Sequence, residues 1–476
     1  MIRKVGIGAA AAAVALSSLA TTSTASAQAY TTSFTTSVTY QNVGTATANI
    51  SMQFYPQGSG TAVTLAVSPL AAKAGTSVFL GNVSSVNAGF VGSAVLSADQ
   101  PVVATMVQVP QGSATVKNRP LANGFSSGAA KYLIATVLKN KFNTTTKFSV
   151  QNVDTEALNL TVTFYSADTA AAPVAKTVAA LPAGSASYFD AGAIAELPAG
   201  FNGSAQITAK KADGTPGNVV AAALELSTNG PAASAFEGIS TSSAKYYMAS
   251  AVCNYQGSSS AYAVQNTGDD GAADASVTVT YNNGKTETQT IAVGKKASFL
   301  GCTPGNPAGF LGSAVIQATG NKIVAVGKVT GGGLSTAFLG AAQGAPKLAL
   351  PYVRWTQAGY NGTAGRQRVF IAIQNVGSAN LAAGTVKVQY LDRDGKLVGT
   401  DTMGAIAQNA KVNSNANNVA GGAEFGWYGG SNFGGSVIIE GPAGSQLTAI
   451  ARVKSNTSNT ATATEVGEDY NAIPIE

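Results

Sequence analysis

The chain has 476 residues, a formal net charge of +6, only 11% charged residues and no histidine. No basic run is longer than Lys210-Lys211 or Lys295-Lys296, which leaves no electrostatic footprint for nucleic acid. The missing histidine excludes Ser-His-Asp and Cys-His triads and any His-ligated zinc site.

The chain opens Met1-Ile2-Arg3-Lys4, two positive charges before an Ala/Val/Leu-rich run over residues 5–20. Ala25-Ser26-Ala27 then offers a small-x-small cleavage site. Residues 1–27 read as a secretory signal peptide, with Gln28 as the mature N-terminus. No later run reaches the roughly 18 apolar residues of a transmembrane helix. The expectation is a secreted protein, extracellular or at the cell surface, with no membrane span after signal cleavage.

A Gln-Asn dipeptide ends an alternating strand four times, as Gln41-Asn42, Gln151-Asn152, Gln265-Asn266 and Gln374-Asn375. The spacing is that of one small domain, so the chain reads as a tandem array. The predicted repeats are residues 28–124, 131–240, 245–343 and 347–476. After each dipeptide comes a Gly/Asp/Ala-rich turn and a second alternating strand. Its inward positions are Ile50, Met52 and Phe54 in repeat one, and Leu160, Val162 and Phe164 in repeat two. Val277, Val279 and Tyr281, then Val386, Val388 and Tyr390, follow in repeats three and four. Asn283-Gly284 and Asp394-Gly395 are hairpin turns that need positive φ. Gly-Phe-x-Gly-Ser-Ala then enters another strand at Gly89, Gly200 and Gly309. A degenerate copy begins at Asn432. Phe90, Phe201, Phe310 and Phe433 read as plugs at one end of each core. Short alternating strands with frequent turns predict an all-β chain of four tandem immunoglobulin-like β-sandwich domains. The short linkers 124–130, 240–244 and 344–346 predict a semi-rigid rod.

The order of landmarks is an opening apolar strand (Tyr132-Leu133-Ile134, Tyr246-Tyr247-Met248, Leu348-Ala349-Leu350), then Gln-Asn, then the Gly-Phe-x-Gly-Ser-Ala entry. It resembles the tandem repeats of cell-surface proteins secreted by green non-sulfur bacteria. The resemblance spans essentially the whole mature chain and transfers no catalytic residue. It implies an extracellular structural or adhesive role, by association alone.

Catalytic signatures are weak throughout. Gly124-Phe125-Ser126-Ser127-Gly128 matches a nucleophile elbow but lies in a linker and has no base. Asn283-Gly284-Lys285-Thr286 lacks the first glycine of a phosphate loop, since Val279 stands there. Asp392-Arg393-Asp394-Gly395 and Asp269-Asp270 are weak calcium candidates. Asp190, Glu196, Asp213, Glu225 and Glu237 read as acids on turns and exposed strand positions, and no pair recurs for glycoside hydrolysis. The chain therefore reads as a non-enzyme that needs no cofactor.

Two other sets of residues carry expectations. Gln and Asn of the repeated dipeptide are expected to bind main-chain groups where the strand leaves the sheet. Cys253 and Cys302 are the only cysteines and are expected to form a disulfide inside repeat three.

The reading is a structural or adhesive protein of the cell surface or matrix. The alternative is a carbohydrate-binding protein using Trp355, Trp427 and Tyr428 on surface glycans. Repeat one has too few residues before Gln41 for an opening strand, and Tyr470, Ile473 and Ile475 trail beyond repeat four. Self-association by donation of that tail to the open edge would build a filament. The competing expectation is that residues 29–37 cover the edge themselves.

Overall fold

The computed structural model describes residues 33–111, 116–168, 170–271, 273–356, 367–419, 424–426, 434–456 and 465–476. Repeat two has the full plan. Its strands run Lys131–Leu138, Thr144–Asn152, Leu158–Ser166, Val174–Leu181, Ala186–Asp190, Asn202–Lys210, Val219–Ser227 and Ala233–Glu237. One four-stranded sheet holds, in spatial order, Val174–Leu181, Leu158–Ser166, Asn202–Lys210 and the opening strand Lys131–Leu138. The other holds Ala186–Asp190, the Gln-Asn strand Thr144–Asn152, Val219–Ser227 and the closing strand Ala233–Glu237. All pairings are antiparallel. Repeats three and four repeat this order, so the chain is a series of β-sandwiches.

The alternation read from the sequence sets the cores. Ile50, Met52 and Phe54, and their counterparts through Tyr390, are all buried between two sheets. Phe201 is buried as a plug; Phe90 and Phe310 pack edge-on against Phe54 and Tyr281. Phe433 lies outside the described residues.

The closing strands of repeats two, three and four change sheets at their ends. Ile239 leaves its own sheet and pairs with Leu133 of the opening strand, and Ala341 pairs with Tyr247 in the same way. In repeat four the closing strand is Glu465–Asn471, and Ile473 then pairs with Ala349 of the opening strand Lys347–Leu350. The expected loose tail is therefore corrected: Tyr470 is buried and its hydroxyl donates to the Tyr352 carbonyl.

The expected rod is also corrected. The closing strands Leu121–Asn123, Ala233–Glu237, Leu334–Leu339 and Glu465–Asn471 meet around one axis, each touching the next and the fourth touching the first. The crevice between them is too tight to admit a water molecule and takes lining residues from all four repeats, including Pro120, Ala233, Thr336 and Asp469. The four sandwiches form a closed ring. The linkers do not act as spacers, because they fold onto the next repeat. Phe125 packs edge-on against Tyr132 at 5.9 Å, and Ala129 pairs with Val219. Each repeat is thereby turned sideways on the one before, and a head-to-tail contact closes when that rotation sums to a full turn.

Candidate functional site

The recurring polar residues converge on the junctions between repeats. Asn152 ends its strand and folds its side chain back on the chain. Its Nδ2 donates to the Glu156 and Leu181 carbonyls, and its Oδ1 accepts from Asp154 N–H. Asn42, Asn266 and Asn375 make the same three contacts with their own turns. Asn suits the position because one short amide satisfies both donors and acceptors of a turn.

The neighbouring glutamines reach a second turn, just before the next strand of the same sheet. Gln41, Gln151, Gln265 and Gln374 donate through Nε2 to the carbonyls of Lys73, Gly184, Gly294 and Asn409 at 3.1–3.3 Å. All four acceptor residues have φ between 61° and 78°. That turn is what the preceding repeat docks on. The serine of the Gly-Ser-Ala entry donates across the junction to the same carbonyl: Ser93 to Gly184 at 2.8 Å, Ser204 to Gly294 at 2.7 Å and Ser313 to Asn409 at 2.7 Å. One carbonyl with two lone pairs thus joins a repeat to itself and to its neighbour.

The first two junctions add an aromatic ring. A Cβ on Gly184 would stand 2.3 Å from the Tyr55 ring, and one on Gly294 would stand 2.6 Å from the Tyr165 ring. Glycine is required at both, by the ring and by the positive φ. Where the ring is replaced by Asn282 or Leu391, the turn residue is Asn409 or Lys73.

Each junction also holds a buried acid. Glu237 of repeat two accepts from the Asn123 main chain of repeat one. Glu225 of repeat two pairs with Lys328 of repeat three at 2.7 Å. Asp469 of repeat four accepts from Thr336 of repeat three at 2.8 Å and pairs with Arg452 at 2.7 Å. Glu468 of repeat four pairs with Arg119 of repeat one at 2.9 Å and closes the ring. Burial pushes the Glu237 and Glu468 carboxyls up; Arg119 opposes this at Glu468 without cancelling it. Lys296 is buried and Lys411 half-buried beside these acids, and desolvation lowers each to about 7.

The fourth junction departs from the pattern. The Ser436 hydroxyl has no hydrogen-bond partner among the described residues. The contact is made instead by Gly75 N–H on the Arg393 carbonyl and by an apolar patch of Val103, Leu391, Ile438, Ile473 and Ile475. Tyr470, Ile473 and Ile475 were expected to reach another molecule. Tyr470 is buried in its own repeat, and the two isoleucines pack on repeat one of the same chain.

The remaining sequence candidates fall elsewhere. Trp355 is buried, with the Arg368 guanidinium 5.0 Å over its ring and Phe370 at 5.4 Å, so it is a packing residue. Trp427 and Tyr428 lie outside the described residues. Cys253 and Cys302 are joined by a disulfide, with Cα atoms 5.0 Å apart. At the matching place in repeat two, Lys139 Nζ donates to the Ile194 and Leu197 carbonyls, so hydrogen bonds tie the opening strand to that loop. Asp392 caps its own turn by accepting from Asp394 and Lys396 N–H, and Asp269 pairs with Lys131. Among the described residues no cluster of three or more His, Cys, Asp or Glu is placed to hold a metal. No described helix is long and apolar enough to cross a membrane.

Sequence reasoning misplaced several acids. Glu196 and Asp213 are exposed, but Asp190, Glu225 and Glu237 are buried rather than surface groups. It also missed the junction serines. The signal was present, since Ser93, Ser204, Ser313 and Ser436 stand at one fixed place in the entry motif.

No family model matches the chain, and no curated protein matches it. A comparison with solved structures finds a crystal structure of a tetra-tandem repeat in the extending region of a large adhesion protein. It is 11% identical, with 92% of this chain and 94% of that chain covered and a TM-score of 0.11, a likeness too low to carry an argument.

Proposed function

We propose that this is a non-catalytic structural or adhesive protein that works outside the cell, at the cell surface or in its matrix. The observation that supports this reading is how the recurring polar residues are used. Four Gln-Asn pairs, three serines and four buried acids are all engaged in joining turns and repeats. This favours a stiff body whose outer surface does the work. A cystine in repeat three fits an oxidising compartment, as does the leader-like N-terminus.

Immunolabelling of intact producing cells, together with adhesion of protein-coated beads to those cells and to their isolated envelope, tests the proposal. Surface labelling and saturable bead adhesion support it. Confinement to the cytoplasm, or turnover of a polysaccharide or peptide that disappears on mutating one acid, contradicts it. The carbohydrate alternative now rests on Trp427 and Tyr428. A glycan array on which binding is lost in Trp427→Ala would favour it.

A further inference from the structure

Among the described residues, repeat one is an incomplete sandwich. Its first sheet has three strands, Val63–Ala66, Ile50–Pro56 and Gly92–Ala98, where the other repeats add an opening strand beyond the last of these. The difference shows in burial. Ala205, Ile207 and Ala209 of repeat two and Ala314, Ile316 and Ala318 of repeat three are buried under their opening strands. At the matching positions of repeat one, Ala94 is exposed and Leu96 and Ala98 are only half-buried. The end of the core beside Phe90 is open as well, with a groove of about 420 Å³ bordered by Pro56, Val63 and Val86.

The backbone of this edge is set to pair. Asp99 N–H and the Val91 carbonyl point to the Ile50–Pro56 side, at Asn49 and Gln57. By strand alternation, the N–H and C=O groups of Ala94, Leu96 and Ala98 point the other way, to the open edge. Tyr188 of repeat two takes only the Gly92 carbonyl at one end.

The chain itself offers no filler among the residues described. Ser33–Ser37 are paired with Val107–Gln111 and so do not cover the edge, and residues 29–32 of the expected cover lie outside the described residues. Counted from the Gln-Asn register, the counterpart of Lys131–Leu138 is residues 21–28, which read Thr-Thr-Ser-Thr-Ala-Ser-Ala-Gln. That stretch has no large apolar side chain, whereas Tyr132, Leu133, Ile134 and Val137 are all buried. A second copy is no better supplied. Its opening strands and its C-terminal strand Ile473–Pro474 are already paired.

We propose that the edge Ala94–Ala98 of repeat one is a strand-acceptor site for an extended segment of another protein. That segment runs antiparallel to Gly92–Ala98 and carries large apolar residues in strand alternation. The chemistry is that of the three opening strands: main-chain hydrogen bonds supply affinity, and apolar side chains entering the open core supply specificity. The site does not depend on the adhesive role.

A fluorescent peptide of residues 131–139, Lys-Tyr-Leu-Ile-Ala-Thr-Val-Leu-Lys, is the probe, titrated into the full chain by anisotropy. The expected result is saturable 1:1 binding that is lost when the peptide carries Ile134→Asp. Ala94→Pro removes an N–H that faces the open edge, a place where proline is tolerated, and should weaken binding by about tenfold or more. Hydrogen exchange of the unaltered chain gives a readout free of any folding defect: peptide should newly protect Ala94, Leu96 and Ala98. Absence of saturable binding, binding indifferent to Ala94→Pro in a folded variant, or amides already protected without peptide would overturn the proposal. So would a homodimer that Ala94→Pro dissolves, which would assign the edge to a second copy.

Discussion

Arg119 and Glu468 stand 349 residues apart in the chain, and the guanidinium Nε of one lies 2.9 Å from a carboxylate oxygen of the other. This contact joins the first repeat to the fourth, and the same guanidinium donates to Ser455. Arg119→Ala would leave Glu468 buried without its cation, a change that costs about 3–5 kcal/mol in comparable sites. The sign of the pH effect follows from Glu468. Its folded pKa is raised, so its contribution is fully present below the ordinary carboxyl range and is lost as pH rises through the raised value. The defect should therefore be largest at neutral and alkaline pH and shrink in mild acid. Urea unfolding of wild type and variant at both pH values checks this.

Gly184→Ala should weaken the first junction. It adds a methyl group against the Tyr55 ring and forces a residue with a Cβ to keep φ near 78°. Strain of these two kinds costs on the order of 1–3 kcal/mol. The double change Tyr55→Ala with Gly184→Ala should lack the steric part of the clash. A double-mutant cycle by thermal melting separates the two. Strictly additive effects would contradict the packing described.

Reduction of Cys253–Cys302 should lower stability by up to about 4 kcal/mol for its 49-residue loop. The loss should be confined to repeat three. Lys139→Ala should loosen the matching corner of repeat two by a smaller amount, about 1–3 kcal/mol, because hydrogen bonds are lost there and no covalent bond. Amide exchange, resolved by repeat with and without reductant, distinguishes the two sites.

Two desolvated lysines predict a rise in stability with alkalinity. Lys296 faces Lys328 and Glu225, and Lys411 faces Arg452 and Asp469; desolvation lowers both from 10.5 to about 7. A depressed folded pKa means the unfolded chain holds more protons across this window. Stability is then lost as pH falls from the ordinary lysine value toward 7 and is flat below it. Desolvated tyrosines such as the buried Tyr40 and the half-buried Tyr188, raised to about 12, work in the opposite direction above pH 10. The rise should therefore appear between about pH 7 and 10. Lys411→Met should flatten it, as read from denaturant midpoints across that range.

The sandwich plan was legible because alternation reports burial within one strand. Ile50, Met52 and Phe54 announce their face by spacing alone, and the Gln-Asn period marks where each strand ends. The ring was hidden because it depends on pairs such as Tyr55 with Gly184, which share no local pattern. Glu225 shows the difficulty. It lies on the same strand face as the core residues Val219, Ala221 and Ala223, beside Thr136 and Thr146 of its own repeat, and only its cation, Lys328, comes from the next repeat. The tail misled for a similar reason. An apolar C-terminal strand looks unpartnered in sequence, yet Ile473 returns to Ala349 and rests on Val103 of the first repeat.

Small-angle X-ray scattering of the chain lacking residues 1–27 tests closure of the ring most directly. A closed body of this length should have a radius of gyration of about 22–26 Å and a compact distance distribution with a single maximum. A radius roughly twice that, with the long tail of an extended rod, would contradict the ring.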